Sequence, residues 1–261
     1  ISRYMEFDLN VVGIDNSIDN LHNPRDGAYK RLISEIQDKK VPKDKQNNII
    51  FLAADVSSDL QNPDNFMDIY KDVVINKKIF QNKYTFDAIT IFFAIHYFFE
   101  SKKQFRQFLI NIDNNVKVGG FFAGCCYDGQ IIFDLFKKNK NNDLVFKSND
   151  NNEILRIKKN YQKEFFEKLD SFGYEIRVLV QSIDKIHTEY LVNFDTLRFE
   201  MFNLGFELLE SHNFKHYTTI PHPKLYKINM TKEDENISFL NRSFIFKKIR
   251  IKKNITIKNK Q

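Results

Sequence analysis

Short apolar runs alternating with helical periodicities set the rhythm of the first half of the chain. Asn10 to Asp15 (NVVGID) and Asn48 to Asp55 (NIIFLAAD) each read as a buried strand that closes on a carboxylate. Phe86 to Phe93 (FDAITIFF) is a third such run, and its β-favouring residues predict a strand buried on both faces of a parallel sheet. Helices are expected up to Phe7, from the turn-rich stretch Asn20 to Arg31 on to about Lys39, and over Asn65 to Phe80. After the third strand, Phe105, Phe108, Leu109 and Ile112 recur at helical spacing, and Val116 to Gly124 (VKVGGFFAG) reads as a Gly-Gly turn leading into the next strand. This alternation predicts an α/β fold with a doubly wound, mostly parallel sheet.

Beyond Asp128-Gly129 and a helix through about Lys138, the rhythm changes. Asp143 to Ser148, Glu153 to Lys158 and Tyr174 to Ser182 are short, partly alternating segments with polar turns, as in an antiparallel insertion. His187 to Asn193 (HTEYLVN) is expected to enter a helix whose apolar face carries Phe194, Leu197, Met201 and Leu204 and which Gly205 closes. Phe206 to Glu210 and Ser243 to Lys248 read as the last two strands.

The 261 residues have room for one large domain with an elaboration or for two small ones. The first option is adopted: residues 1–246 as one domain, 142–190 as its antiparallel insertion, and 247–261 as a basic tail. With 27 Phe and no Trp, the apolar residues can build a sizeable core. No apolar run approaches the roughly 20 residues of a membrane-spanning helix, and no signal peptide is visible, so a soluble, intracellular protein with no membrane partner is expected.

Cys125 and Cys126 are adjacent, which supports neither a disulfide framework nor a zinc site, and they read as small core residues. The net charge of +6 is misleading as a nucleic-acid signal, because residues 247–261 alone carry +7 and the remainder sums to −1. Such a tail either contacts phosphate nonspecifically or is a solvated end. The chain opens at Ile1 and falls straight into structured sequence, so a segment upstream is expected.

The candidate chemistry sits at strand ends. A carboxylate closing an early strand of a doubly wound sheet offers two acceptor oxygens to the vicinal hydroxyls of a ribose, which is one reading of Asp15 and Asp55; a turn or cap role is the other for Asp15. Arg25, Lys30 and Arg31 either face phosphates or form a solvated helix start. Ala94-Ile95-His96-Tyr97 delivers an imidazole and a phenol to the carboxyl end of the third strand, as a pocket for a flat ligand or as core packing with satisfied polar tips.

Taken in order, VVGID, RDGAYKR, AAD, FFAIHYFFE, VGGFFAG, YDG, TEYLVNF and SFLNRSFIFKK resemble the mRNA cap guanine-N7 methyltransferases, especially the version carried in capping enzymes of large DNA viruses. The similarity runs over nearly the whole chain. It is most specific in the His-Tyr block at Phe93 to Glu100 taken with the later Glu-Tyr-Leu-Val block.

The resemblance implies a Rossmann-like sheet that binds S-adenosyl-L-methionine, with the antiparallel insertion roofing a cap pocket. The first strand and a Gly-rich donor loop would lie upstream of Ile1. By position, Asp15 would hold the donor ribose, Asp55 and Val56 would lie beside its adenine, and Ile95 would sit near the donor. Phe93, His96, Tyr97 and Glu189 would surround the cap guanine. The late Tyr that some members place over the guanine falls at or near Asn241.

The implied reaction is methyl transfer from S-adenosylmethionine to guanine N7 of 5′-capped (GpppN) mRNA by positioning, with no acid-base catalyst and no metal. The implied partners are fused upstream capping domains or a stimulatory subunit, and the implied location is the cytoplasm of a host, or a virion. Two alternatives stand beside this reading: a noncatalytic RNA-binding module that uses the basic tail, and an NAD-dependent dehydrogenase in which Asp15 holds the nicotinamide cofactor's ribose.

Overall fold

Two units, Ile1–Thr85 and Phe86–Gln261, divide the chain in a computed structural model that describes residues 9–38, 49–67, 79–80, 84–139, 141–220 and 230–250. The sequence reading treats residues 1–246 as one domain. The helix expected up to Phe7, and most of that expected over Asn65 to Phe80, lie outside the described residues.

In the first unit, β1 (Val11–Asp15) and β2 (Ile49–Ala53) form a parallel pair with Asp15 opposite Ala53. Ser17 caps the short helix α1 (Ile18–His22) by accepting from the Asn20 N–H. Leu32 of α2 (Ala28–Gln37) packs on Ile49 and Phe51, which covers one face of the pair. Tyr29 adds a tie by donating to the Phe51 carbonyl at 2.9 Å.

The second unit opens with β3 (Phe86–Phe92), α3 (Lys102–Asn115) and β4 (Val116–Tyr127), a strand-helix-strand unit whose strands run parallel. Phe105, Phe108, Leu109 and Ile112 are all buried, as their spacing predicts. Two expectations change here. The Gly-Gly pair is not a turn before a strand: β4 runs straight through it, and Gly119 takes a φ of 87° where the register against β3 shifts. Nor is β3 buried on both faces among the described residues, since its residues are half-buried or exposed and the strand that pairs with it there is β4.

The sheet is closed by β9 (Phe206–Asn213) and β10 (Asn241–Lys248), which pairs antiparallel with both β4 and β9. It is therefore mixed. In its core Phe122 stacks with Phe246, and Phe244 packs against both at a tilt. Gly124 allows β3 and β4 to approach, because a Cβ there would lie 2.2 Å from the Ile91 carbonyl oxygen. The basic run expected as a tail begins inside this sheet: Lys248 is buried and pairs with Asp113 at 2.8 Å, while residues 251–261 lie outside the described residues.

After α4 (Gly129–Asn139) come β5 (Asp143–Lys147), β6 (Glu153–Lys159), β7 (Glu175–Val180) and β8 (Lys185–Tyr190), an antiparallel sheet in sequence order. Ile132, Phe133 and Phe136 of α4 join Leu155, Ile157, Ile176 and Val178 in its core. The helix expected to start within His187 to Asn193 begins later, as α5 (Phe194–Asn203), because Asn193 is its N-cap and accepts from the Thr196 N–H. The residues ahead of that cap extend and pair with β7 instead. The last helix, α6 (Lys232–Ser238), opens with a capping box between Thr231 and Asp234. Among the described residues, no helix is long and apolar enough to cross a membrane.

Asp128 joins these parts. It is buried, its backbone N–H donates to the Leu240 carbonyl, and its Oδ2 accepts from Arg242 at 2.8 Å. Replacing Asp128 by alanine would leave the partly buried guanidinium without its counter-charge, so a loss of about 3 kcal/mol is expected in urea unfolding. A change within measurement error would contradict this role.

Candidate functional site

The first unit places two carboxylates at the carboxyl ends of its parallel strands. Asp15 ends β1, and its Oδ1 accepts from the Ser17 N–H at 2.8 Å and from Asn20 Nδ2 at 3.1 Å. Its Oδ2 has one longer contact, with Asn20 Nδ2 at 3.3 Å. Asp55 lies two residues beyond β2 and accepts from the Ser57 N–H and hydroxyl at 2.8 and 2.7 Å. The turn role considered for Asp15 is thus present, and each carboxylate is only half-buried. A carboxylate has about four acceptor positions, so both residues keep capacity for the hydroxyls of a nucleoside. That set of acceptors fits the ribose and adenine end of S-adenosylmethionine. Val56 lies beside Asp55 and is half-buried. Arg25, Lys30 and Arg31 are exposed, and Arg31 donates to the Asp26 carbonyl.

The second unit carries a separate cluster. Just past β3, Phe93 takes a φ of 53°, a left-handed conformation that a bulky residue rarely adopts. Its N–H is held by the Cys125 carbonyl at 2.9 Å, and its ring is 53% exposed. The chain then enters a 3₁₀ turn, Ile95–Glu100. Ile95 is fully buried and offers no side-chain surface to a ligand, so a donor role for it rests on resemblance alone. His96 is 4% exposed, whereas Tyr97, with its ring 4.2 Å from the imidazole at 62°, is 45% exposed.

Glu189 comes from β8, opposite Ile176 on β7. The Gly173 N–H donates to the Phe99 carbonyl at 2.9 Å, and the Leu191 N–H to that of Tyr174 at 3.0 Å. These bonds hold the 3₁₀ turn and β8 against the same segment before β7. As a result, His96 Nδ1 lies 3.7 Å from Glu189 Oε2, within ion-pair range and beyond a hydrogen bond.

The electrostatics of this pair are unusual. Burial raises the Glu189 carboxyl to about 7. Burial first, and the charge of His187 second, lower His96 to about 3. Both groups are thus held in their neutral forms between about pH 3 and about pH 7. Burial, with a smaller contribution from Glu189, also pushes the nearby Tyr127 phenol up. Glu189 Oε2, His96 Nε2 and His187 Nε2 are buried without a hydrogen-bond partner. Buried polar atoms are normally paired, so these three have capacity left for the donors and acceptors of a bound molecule.

A stability prediction follows from the sign of the Glu189 shift. Its folded pKa is above the usual carboxylate value, so the folded state binds the extra proton, and stability falls as pH rises from about 4.5 through about 7. The loss is on the order of 3 kcal/mol. His96 acts oppositely, losing stability as pH falls from 6.5 toward 3. Glu189→Gln is therefore expected to raise the melting temperature of the ligand-free protein at pH 8 and to change it little at pH 4.5, as read by thermal melts. An equal shift at both pH values would contradict the assignment.

The resemblance puts Asn241 where some members place a Tyr over the guanine. Asn241 is buried, and its amide donates to the Ile237 and Ser238 carbonyls, so it braces the end of α6 rather than presenting a ring. The Phe214 ring stands edge-on to Phe93, with centroids 6.4 Å apart. His187 is absent from the sequence-based set because a helix was expected there; in a strand, residues i and i+2 share a face, which puts it beside Glu189.

Parallel strand pairs, helical crossovers and polar groups at the strands' carboxyl ends make this a Rossmann-like α/β protein of the methyltransferase type. Residues 21–242 match the mRNA (guanine-N(7))-methyltransferase domain, and the chain belongs to that family.

The mRNA cap guanine-N(7) methyltransferase of Saccharomyces cerevisiae is 31% identical over 142 residues, covering 53% of this chain and 32% of the relative. That of Caenorhabditis elegans is 29% identical over 136 residues, covering 51% and 34%. The chain thus spans about a third of the length of these relatives. Among solved structures, the CcbJ methyltransferase from Streptomyces caelestis superposes with a TM-score of 0.49 at 11% identity, over 94% of this chain and 77% of that one.

Proposed function

We propose that this chain is the methyl-transferring domain of an mRNA cap guanine-N7 methyltransferase. The observation that carries the reading is the pairing of an uncommonly basic carboxylate, Glu189, with buried His96, whose Nε2 has no hydrogen-bond partner, in a chain segment that also carries the exposed aromatic residues Phe93 and Tyr97. A guanine edge presents N1–H and N2–H donors beside the O6 acceptor. Glu189 would accept from the donors and His96 Nε2 would donate to O6, so the base would satisfy both orphaned groups. The rings would hold its faces at roughly 1 to 3 kcal/mol per stacked base.

Family membership brings S-adenosylmethionine as methyl donor, and Asp15 and Asp55 are the residues that would hold its nucleoside. When bound, that group supplies a sulfonium methyl. Guanine N7 carries a free lone pair and needs no base to remove a proton before it attacks. The work left to the protein is orientation, which can contribute on the order of 7 to 11 kcal/mol, and a carboxylate that favours the positive charge developing on the purine. An acceptor of this kind is produced by guanylyl transfer to an RNA 5′ end. Fused capping domains or a stimulatory subunit, and action inside the cell where capped RNA is made, belong to the same reading.

The test uses the natural full-length protein, S-adenosylmethionine labelled in the methyl group, and RNAs that begin GpppA or pppA. Label is expected only on the GpppA RNA, released by nuclease as 7-methylguanosine. Label on both RNAs or on neither would overturn the proposal. Saturable binding of NAD instead of S-adenosylmethionine would favour the dehydrogenase alternative. Binding indifferent to the cap and steeply salt-dependent would favour the RNA-binding one.

A further inference from the structure

The polar cluster contains one group that the cap reading has not used. His187 stands on β8 two residues before Glu189, opposite Val178 as Glu189 is opposite Ile176, so the two side chains leave the same face about 7 Å apart along the strand. Its Nε2 is one of the three buried nitrogen and oxygen atoms here that lack a partner. It is also close enough to His96 for its charge to oppose protonation there. His96 lies 3.7 Å from the Glu189 carboxylate, and His187 lies one strand repeat along from it. No group of three His, Cys, Asp or Glu residues among those described is arranged to hold a metal ion.

A cap guanine leaves one donor over. Its carbonyl O6 is accounted for by His96, and its N1–H and one N2–H by the Glu189 carboxylate. The exocyclic amine has a second hydrogen, which a buried site must also satisfy. A neutral imidazole protonated on Nδ1 accepts at Nε2.

We propose that His187 Nε2 accepts this second amino hydrogen, making His187 a specificity residue that reads the 2-amino group of the cap purine. The inference rests on the cap reading. It differs from that reading in predicting discrimination against a purine that has the same O6 and N1–H and lacks only the amine, which is hypoxanthine.

The experiment compares RNAs capped with GpppA and with IpppA in the full-length protein at saturating S-adenosylmethionine, for the wild type and for His187→Ala and His187→Gln. The wild type is expected to prefer the guanine cap in KM. His187→Ala should narrow that preference by about tenfold by raising KM for the guanine cap alone, leaving KM for the inosine cap, kcat and the donor KM in place. His187→Gln, whose amide oxygen accepts a hydrogen bond, should recover part of the preference. Equal rises on both caps would mean that His187 merely supports the fold, and no change on either would mean that it does not touch the base; each overturns the inference while the cap reading stands. A wild type that methylates neither RNA would remove the cap reading and this inference together.

Discussion

Glu189→Gln in the full-length protein is expected to lower kcat/KM for GpppA-capped RNA by about 10²- to 10³-fold at pH 8, with little change in the donor's KM. The carboxylate would take two N–H groups of the base in a site that excludes water, and charge-assisted bonds of that kind are worth about twice neutral ones. An amide keeps the shape and loses the charge, and it turns one acceptor into a donor aimed at another donor. The prediction has a pH signature. Because burial holds the free carboxyl at about 7, wild-type kcat/KM for the cap should rise through about pH 7, and this limb should be missing from the glutamine variant. A variant with near-normal turnover, or one that keeps the limb, would remove Glu189 from the site.

The second large effect belongs to Tyr97. Tyr97→Ala is expected to cost 10- to 100-fold in kcat/KM for capped RNA, as follows from losing one base-stacking surface of roughly 1 to 3 kcal/mol. Tyr97→Phe should recover most of the loss, since the ring rather than the hydroxyl is assigned the contact. Tyr97 is 45% exposed and its ring stands against His96, so its removal uncovers the imidazole without opening a core cavity. Steady-state kinetics of the two variants decide the matter. Equal losses in both would shift the role to the hydroxyl, and no loss in either would exclude the ring.

Much of this arrangement was legible before the structure, for physical reasons that also explain the exceptions. β1 and β2 are short apolar runs bounded by polar residues; Asp15 closes β1 as the sequence predicts, and Asp55 follows β2 by two residues. α3 repeats its Phe and Leu positions at a period only a helix satisfies. The exceptions arise where local pattern and tertiary pairing disagree. HTEYLVN holds too few residues to show a period, and Asn193 is as good a cap as it is a loop residue, so the strand is decided by six residues of pairing with β7.

β3 has the composition of a central strand, and its exposure among the described residues depends on which strands lie beside it, which its own sequence does not carry. Phe93 could be recognised as aromatic, but its left-handed backbone could not. The unusual acidity of Glu189 and His96 was likewise out of reach, since it depends on burial and on the 3.7 Å separation of residues 93 positions apart in the chain.

The central claim is that one purine edge completes the His96–Glu189 pair between Phe93 and Tyr97. A crystal structure of the full-length protein with the dinucleotide cap GpppA tests it most directly. The account predicts guanine density stacked on the Tyr97 ring, with a Glu189 oxygen at hydrogen-bond distance from N1 and N2 and His96 Nε2 from O6. Guanine bound elsewhere, or adenine in its place with Glu189 and His96 still unpartnered, would contradict it.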